Sequence, residues 1–336
     1  MSATVAASLV VLNLNGRRHL APLLAHLAVQ SVRDFELIFV DNGSNDGSLR
    51  LVEESCRAYG LTLVAIRNAF NNGFAPASNQ GLRVARAEHV VMLNNDTRPE
   101  PAWLEQLLVT AEQWPDAGMV ASKMLFAHNP AMINSAGIAV DSAGIAWDWR
   151  GGERDDPGER AVAEIFGPCG GAGLYARRMM LQLGGFDEDF FAYLEDVDLA
   201  WRARLAGWRC FYQPQARILH AHSATLGDAS PAKRFLLGRN KVWTLLKNLP
   251  DRWLLADGLR AAFYDGLATG YGVLTRGDPA SLRGRVAGLR GAAPMLAKRR
   301  TIQRTIVDVE NWRRFVQPAP APWAIPRRYA HLAGKP

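Results

Sequence analysis

Residues 8–16 read "SLVVLNLNG", an apolar run that stops abruptly on asparagine and glycine. The same plan returns in "DFELIFVDNGSNDGS", "LTLVAIRN" and "EHVVMLNNDTRP". Helical spacing fills the intervals: "RRHLAPLLAHLAVQS", "SLRLVEESCRAYG" and "NNGFAPASNQGLRVAR". Continuous apolar runs suit strands buried on both faces. Strands alternating with helices imply an α/β fold, a Rossmann-like, mainly parallel twisted sheet flanked by helices. Such sheets bind ligands beyond the carboxyl ends of their strands. Asn13, Asn15, Asp41, Asn42, Asn94, Asn95 and Asp96 all fall at those ends, so several loops should converge on one crevice.

The 336 residues suffice for one large domain or two. Three cysteines, Cys56, Cys169 and Cys210, share no metal-like spacing, and their odd number argues against a disulfide scaffold. The N-terminus lacks a basic leader region, and no apolar run reaches eighteen residues. The expectation is a cytoplasmic protein, at most peripheral on the inner membrane face. Charge is split: residues 1–232 carry 19 Lys+Arg against 26 Asp+Glu, residues 233–336 carry 20 against 6. An acidic body with a basic end segment does not suit a nucleic-acid reader. It suits a catalytic domain followed by a segment that meets an anionic surface.

Residues 111–164 are less regular, with strand or hairpin patterns in "KMLFA" and "GIAVDSAGIAWDW". Residues 150–161 form a charged, Gly-rich loop, long enough to be either functional or disordered. The sequence therefore divides into a catalytic domain at 1–232, a basic amphipathic helical segment at 233–315 and a Pro-rich tail at 316–336. The catalytic domain splits near residue 110. Residues 233–310 read equally as a membrane-interface element or as helices packed on the core or in an oligomer contact.

Four clusters could carry chemistry. Asp41 is a carboxylate directly after a buried strand; it could accept hydrogen bonds from a base or ribose, or cap a turn. Gly73, Asn79 and Gly81 mark a loop-to-helix junction where a backbone could approach phosphate. Asp96 offers one anionic oxygen to a hard divalent cation, with Asn94 and Asn95 as neutral donors; the alternative is a cap for the helix "EPAWLEQLL". In "YLEDVDL", Glu195 and Asp198 share a helical face, while Asp196 points elsewhere and could serve as general base. The competing reading is an acidic first helical turn. His220 and His222 end a strand-like stretch, where a histidine facing Asp96 could complete a metal site.

Seven blocks occur in order: "VVLNLNG", "FELIFVDNGSNDGS", "NNGFAPASNQGL", "VVMLNNDTRPEP", "GPCGGAGLYARR", "LGGFDEDFFAYLEDVDLAWRARLAGW" and "ARILHAHSAT". Over residues 8–225 this series resembles the family 2 glycosyltransferases, in particular the bacterial rhamnosyltransferase-like branch. The resemblance implies a GT-A fold, a nucleotide-sugar donor, a divalent metal (Mg or Mn) and inversion at the anomeric carbon. By position it implies that Asp41 meets the base, that Asp96 and His220 hold the metal, and that Asp196 is the base. It further implies that Glu195 orients the acceptor and that Gly171 and Asp187 lie on the acceptor side. Asn13, Asn15, Asn42, Asn71, Gly73, Asn79, Asn94 and Asn95 are expected on the donor side. Where the family's DXD motif begins with aspartate, this chain has Asn94. The implied acceptor is a glycan or lipid-linked glycan used in surface polysaccharide synthesis. A sugar nucleotidyltransferase and a non-catalytic sugar-binding module are the rival readings.

Overall fold

The structure is a computed structural model describing residues 5–221, 230–277 and 279–321. The first half alternates as expected: β1 (Ala7–Asn13), α1 (Arg17–Ala28), β2 (Phe35–Asp41), α2 (Ser48–Tyr59), β3 (Thr62–Arg67), α3 (Phe74–Val84) and β4 (His89–Asn94). Then come β5 (Thr97–Pro99), α4 (Trp103–Gln113), β6 (Ala117–Phe126), β7 (Asn129–Ser135), β8 (Ile138–Asp141), β9 (Ala146–Asp148), β10 (Ala163–Glu164) and β11 (Ala172–Ala176). After these, α5 (Arg177–Leu183), α6 (Glu195–Leu205) and β12 (Arg209–His220) complete the main body.

The large sheet runs β10-β12-β6-β11-β4-β1-β2-β3. The β4-β1-β2-β3 half is wholly parallel. Beyond β4 the sheet is mixed: β11 inserts antiparallel between β4 and β6, and β12 runs parallel to β6. The unbroken parallel register therefore covers the first half, with β12–β6 a further parallel pair beyond it. Every residue of β2 is buried, as a strand covered by helices on both faces requires, whereas edge strand β3 exposes Thr62, Ala65 and Arg67 and half-buries Leu63, Val64 and Ile66. Two apolar layers sandwich the sheet: one holds Leu20, Leu24 and Trp103, the other Met92, Phe186 and Trp201.

The helix "EPAWLEQLL" does not begin beside Asp96. Residues Thr97–Pro99 form β5, which pairs with β12, and α4 starts at Trp103 without a side-chain cap. This corrects the capping alternative and leaves Asp96 for another purpose. The charged loop at 150–161 is ordered by buried ion pairs. Lys123, fully buried, meets Asp155 at 2.9 Å and Glu159 at 2.8 Å, and Arg217 meets Asp155 at 2.8 Å.

The basic segment folds as α7 (Pro231–Asn248), α8 (Asp251–Arg276), α9 (Ala280–Arg290), α10 (Ala292–Arg304) and α11 (Val309–Arg313). It is built into the main body: Leu249 and Trp312 belong to the core around Trp201, and Trp312 stacks on Trp201 at 5.4 Å. After it, β13 (Val316–Gln317) pairs in parallel with β8, so the start of the expected tail is held in a small sheet with β8 and β9. Residues 322–336 of that tail lie outside the described residues.

Candidate active site

The ends of β1, β2 and β4 open on a cleft of about 360 Å³. Its wall is an amide network. Asn95 Nδ2 donates to Asn13 Oδ1 at 2.7 Å, and Asn13 Nδ2 donates to Ser44 Oγ at 3.0 Å. Asn42 Nδ2 donates to Asn71 Oδ1 at 2.8 Å and to the Gly73 carbonyl at 3.1 Å. Gly73 has φ +94°, and a Cβ there would strike the Phe191 ring and carbonyl, so only glycine fits. Asn13, Asn42, Asn71, Gly73, Asn94, Asn95, Asp96, Gly171, Glu195, Asp196 and His220 all line this one cleft.

Four expected residues stand apart. Asp41, 2% exposed, accepts from the Ser44 amide at 3.1 Å behind the wall, so a turn bond accompanies any ligand role. Asn15, at φ 50°, accepts from the Asn45 amide. Asn79 is a brace: it donates to the Phe186 carbonyl at 2.8 Å and accepts from the Phe186 amide at 2.9 Å. Asp187 is held by Lys247 and Lys298, which pull its carboxyl down to about 2 against the cost of burial. None of the four is among the cleft-lining residues. For Asn79 and Asp187, internal bonds consume the groups that a ligand would need.

The acidic stretch separates into three environments. Asp196 Oδ2 accepts from the Gly170 amide at 2.9 Å, and Oδ1 accepts from the Val197 amide at 2.8 Å. Burial pushes its carboxyl up; the two amides oppose this and the nearby Asp148 charge adds to it. Glu195 is buried, with Oε2 lacking a hydrogen-bond partner among the described residues. Burial first, and then the Asp196 charge, push it well above the usual carboxylate range. Asp198 faces away into a buried cluster, with Arg202 at 2.9 Å and Lys247 at 2.7 Å. The expected sharing of a face by Glu195 and Asp198 does not make them one functional pair, because Asp198 is neutralised locally. A raised carboxylate and an unpartnered buried oxygen side by side can accept a proton from, and align, a hydroxyl.

On the opposite side Asp96 Oδ1 lies 3.2 Å from His220 Nε2. His220 Nδ1 lies 2.8 Å from Asn134 Oδ1. An amide oxygen accepts, so the hydrogen sits on Nδ1 and Nε2 is directed at the carboxylate. Two such groups need a shared proton or cation between them. Among the described residues no group of three His, Cys, Asp or Glu could hold a metal alone. Asp96 and His220 could offer a cation a carboxylate oxygen and an imidazole nitrogen only with oxygens of a ligand to complete the shell. His222 lies outside the described residues.

Residues that sequence reasoning did not single out also shape the cleft. Phe191, Tyr193 and Leu194 all have positive φ, a costly run directly before the acidic pair. Lys233, from the first turn of α7, reaches the cleft and sits 5.5 Å from the Tyr193 ring centre. No local pattern marks Lys233, because "PAKRFLL" reads only as a basic helix start.

Residues 8–135 match the family described as Glycosyl transferase family 2. The chain is 30% identical over 277 residues to the N-acetylglucosaminyl-diphospho-decaprenol L-rhamnosyltransferase of Mycobacterium tuberculosis, spanning 72% of this chain and 86% of that protein. In fold it is similar to the mannosyltransferase PcManGT from Pyrobaculum calidifontis in complex with GDP-Man and Mn2+: TM-score 0.53, 20% identity, 92% of this chain and 83% of that one. It is likewise similar to residues 1–349 of S. aureus TarS: TM-score 0.55, 17% identity, 92% and 89% covered.

Proposed function

The chain belongs to glycosyl transferase family 2, and on that premise we propose that it transfers a sugar, rhamnose before others, from a nucleoside-diphosphate donor to a hydroxyl of a lipid-linked glycan, with inversion. The carrying observation is the pairing of Asp196, its carboxyl raised by burial, with the unpartnered Glu195 Oε2 in the same cleft as the amide wall and the Asp96–His220 pair.

In this reading the nucleotide lies along Asn13, Asn42, Asn71 and Gly73, with Asp41 and Asn15 bracing that wall from behind. The acceptor enters beside Gly171. Glu195, its carboxyl pushed up by burial, aligns the acceptor oxygen. Asp196 takes the proton from the attacking hydroxyl as the new glycosidic bond forms and the sugar–diphosphate bond breaks. One displacement needs one base, which fits a single raised aspartate; double displacement instead pairs two carboxylates around a covalent intermediate. Lys233 adds a cation to the lining of the same cleft.

Asp96 and His220 would hold a divalent cation, Mg2+ or Mn2+, which when bound supplies Lewis-acid neutralisation of the leaving diphosphate. PcManGT, which shares the fold, was solved with Mn2+ and a nucleotide sugar. The relative in M. tuberculosis is named for a diphospho-decaprenol acceptor. A basic helical segment then suits attachment to the cytoplasmic face of the membrane that anchors such an acceptor. No described helix is long and apolar enough to cross it.

A panel of nucleotide sugars tests the proposal. One donor should raise the melting temperature and release nucleoside diphosphate. A protein stabilised by none of them, and releasing pyrophosphate from nucleoside triphosphate and sugar phosphate, would overturn it.

A further inference from the structure

Helices α7, α8 and α9 enclose a second, larger groove of about 720 Å³, within the size range of small-ligand pockets. Its walls are alkyl: Leu245 from α7 and Leu249 from its C-terminal cap, Leu254 and Val273 from α8, Leu282 and Leu289 from α9. Its polar lining centres on Asp265, which binds both Lys241 and Arg285, so two cations answer one carboxylate.

The groove is open because α8 is thinned where it could have been filled. A Cβ on Gly266 or Gly270 would meet no atom within 4 Å. Mid-helix glycine costs about 1 kcal/mol relative to alanine. In tightly packed helix pairs glycine lets backbones touch, as Gly284 does against the Phe235 carbonyl. Gly266 and Gly270 instead leave space. Beside that rim α8 exposes Leu255, Leu259, Phe263, Leu267 and Tyr271, one every four residues.

One row of side chains joins this groove to the cleft. Lys233, Leu237, Lys241 and Leu245 follow one another at four-residue spacing on α7, and Leu249 caps its C-terminal end. Lys233 is in the cleft and the last three line the groove. At 1.5 Å per residue, Lys233 and Lys241 are separated by about 12 Å along the helix. The row carries Lys233 at the cleft, Lys241 shared with Asp265 at the groove's near end, and leucines beyond, which matches a molecule with an anionic head and a hydrocarbon tail.

We propose that the α7–α8–α9 groove takes the hydrocarbon chain of a prenyl-diphosphate-linked acceptor, with its diphosphate lying along the Lys233–Lys241 row. This rests on the lipid-linked acceptor put forward above. It adds that the protein reads the chain itself, through a protein-lined site as well as any contact with the bilayer surface. Each methylene withdrawn from water favours binding roughly fourfold.

The test uses the full chain and three soluble probes, inorganic pyrophosphate and prenyl diphosphates of five and fifteen carbons, followed by calorimetry. Affinity should rise at least tenfold from the five- to the fifteen-carbon chain. Gly266→Leu with Gly270→Leu should abolish that rise and leave pyrophosphate binding as it was. These changes fill open space and favour helix, so the fold should persist, which circular dichroism checks. Equal affinity for the two chains would overturn the proposal. So would chain-length dependence that survives both substitutions, or a self-association lost with them in the absence of prenyl binding. Stabilisation of the wild-type chain by nucleotide sugars is read separately. Its absence with chain-length dependence intact would sink the transfer reading and leave the groove standing.

Discussion

The side-chain amide of Asn240, in α7, lies 2.7 Å from the carbonyl oxygen of Tyr193 and 2.9 Å from that of Ala192. It also donates to the Phe190 carbonyl at 3.0 Å. One fully buried nitrogen thus holds the positive-φ turn that ends at Glu195 and Asp196. Strained backbone persists only where its surroundings impose it. The C-terminal helices are therefore part of the frame of the acidic pair.

Asn240→Ala should lower kcat at least tenfold while the KM for donor changes little, because the donor wall on β1 and β2 is untouched. Loss of the Asn240 bonds to the Ala192 and Tyr193 carbonyls should also cost about 2 kcal/mol of stability. Steady-state kinetics beside thermal melts check this. A melt-only effect with unchanged kcat would remove the positioning role.

The acid limb of kcat should lie above the ordinary carboxylate range, because burial and Asp148 raise Asp196. Asp148→Asn removes a negative neighbour, eases ionisation of Asp196 and should move that limb to lower pH. A pH–rate profile of the variant decides it; an unmoved limb would assign the titration to another group.

Asp187 gives the opposite sign. Its folded-state carboxyl sits at about 2 against an ordinary 3.8, held down by Lys247 and Lys298. Its stabilisation is present above the unfolded value and is lost as pH falls from about 4 towards 2. The shift corresponds to about 2 kcal/mol. Asp187→Asn should lose that much at pH 7 and show a shallower acid dependence in urea melts between pH 4 and 2. An acceptor role alone would leave the melts unchanged.

Much of the fold was legible because β1, β2 and β4 carry apolar runs, interrupted in β1 by Ser8 and in β2 by Glu36, that stop on Asn13, Asp41 and Asn94, the pattern of buried strands that end in polar loops. Asp96, His220 and Asp196 stood out because each breaks a local pattern. Antiparallel β11 was not legible, since "GLYA" has the same composition as a parallel strand. Asn240 and Lys233 were invisible for a different reason: their importance lies in contacts with carbonyls or rings some forty to fifty residues away. The lysine contacts of Asp187 were not legible because a charged residue in a glycine-rich stretch looks identical whether it faces a ligand or two lysines.

Divalent-ion binding should depend on nucleotide, because Asp96 and His220 offer too few ligands alone. Mn2+ with nucleoside diphosphate should stabilise the chain well beyond either component alone. His220→Ala should erase the difference. Equal stabilisation of wild type and variant in thermal melts would remove His220 from the metal site.

Proton removal by Asp196 is most directly tested by Asp196→Asn, assayed for sugar transfer and for donor binding on the same preparation. The expected result is a loss of transfer of roughly 100-fold or more, as removal of a general base entails, with donor affinity within about twofold of wild type. Undiminished transfer by the asparagine variant would contradict the assignment outright.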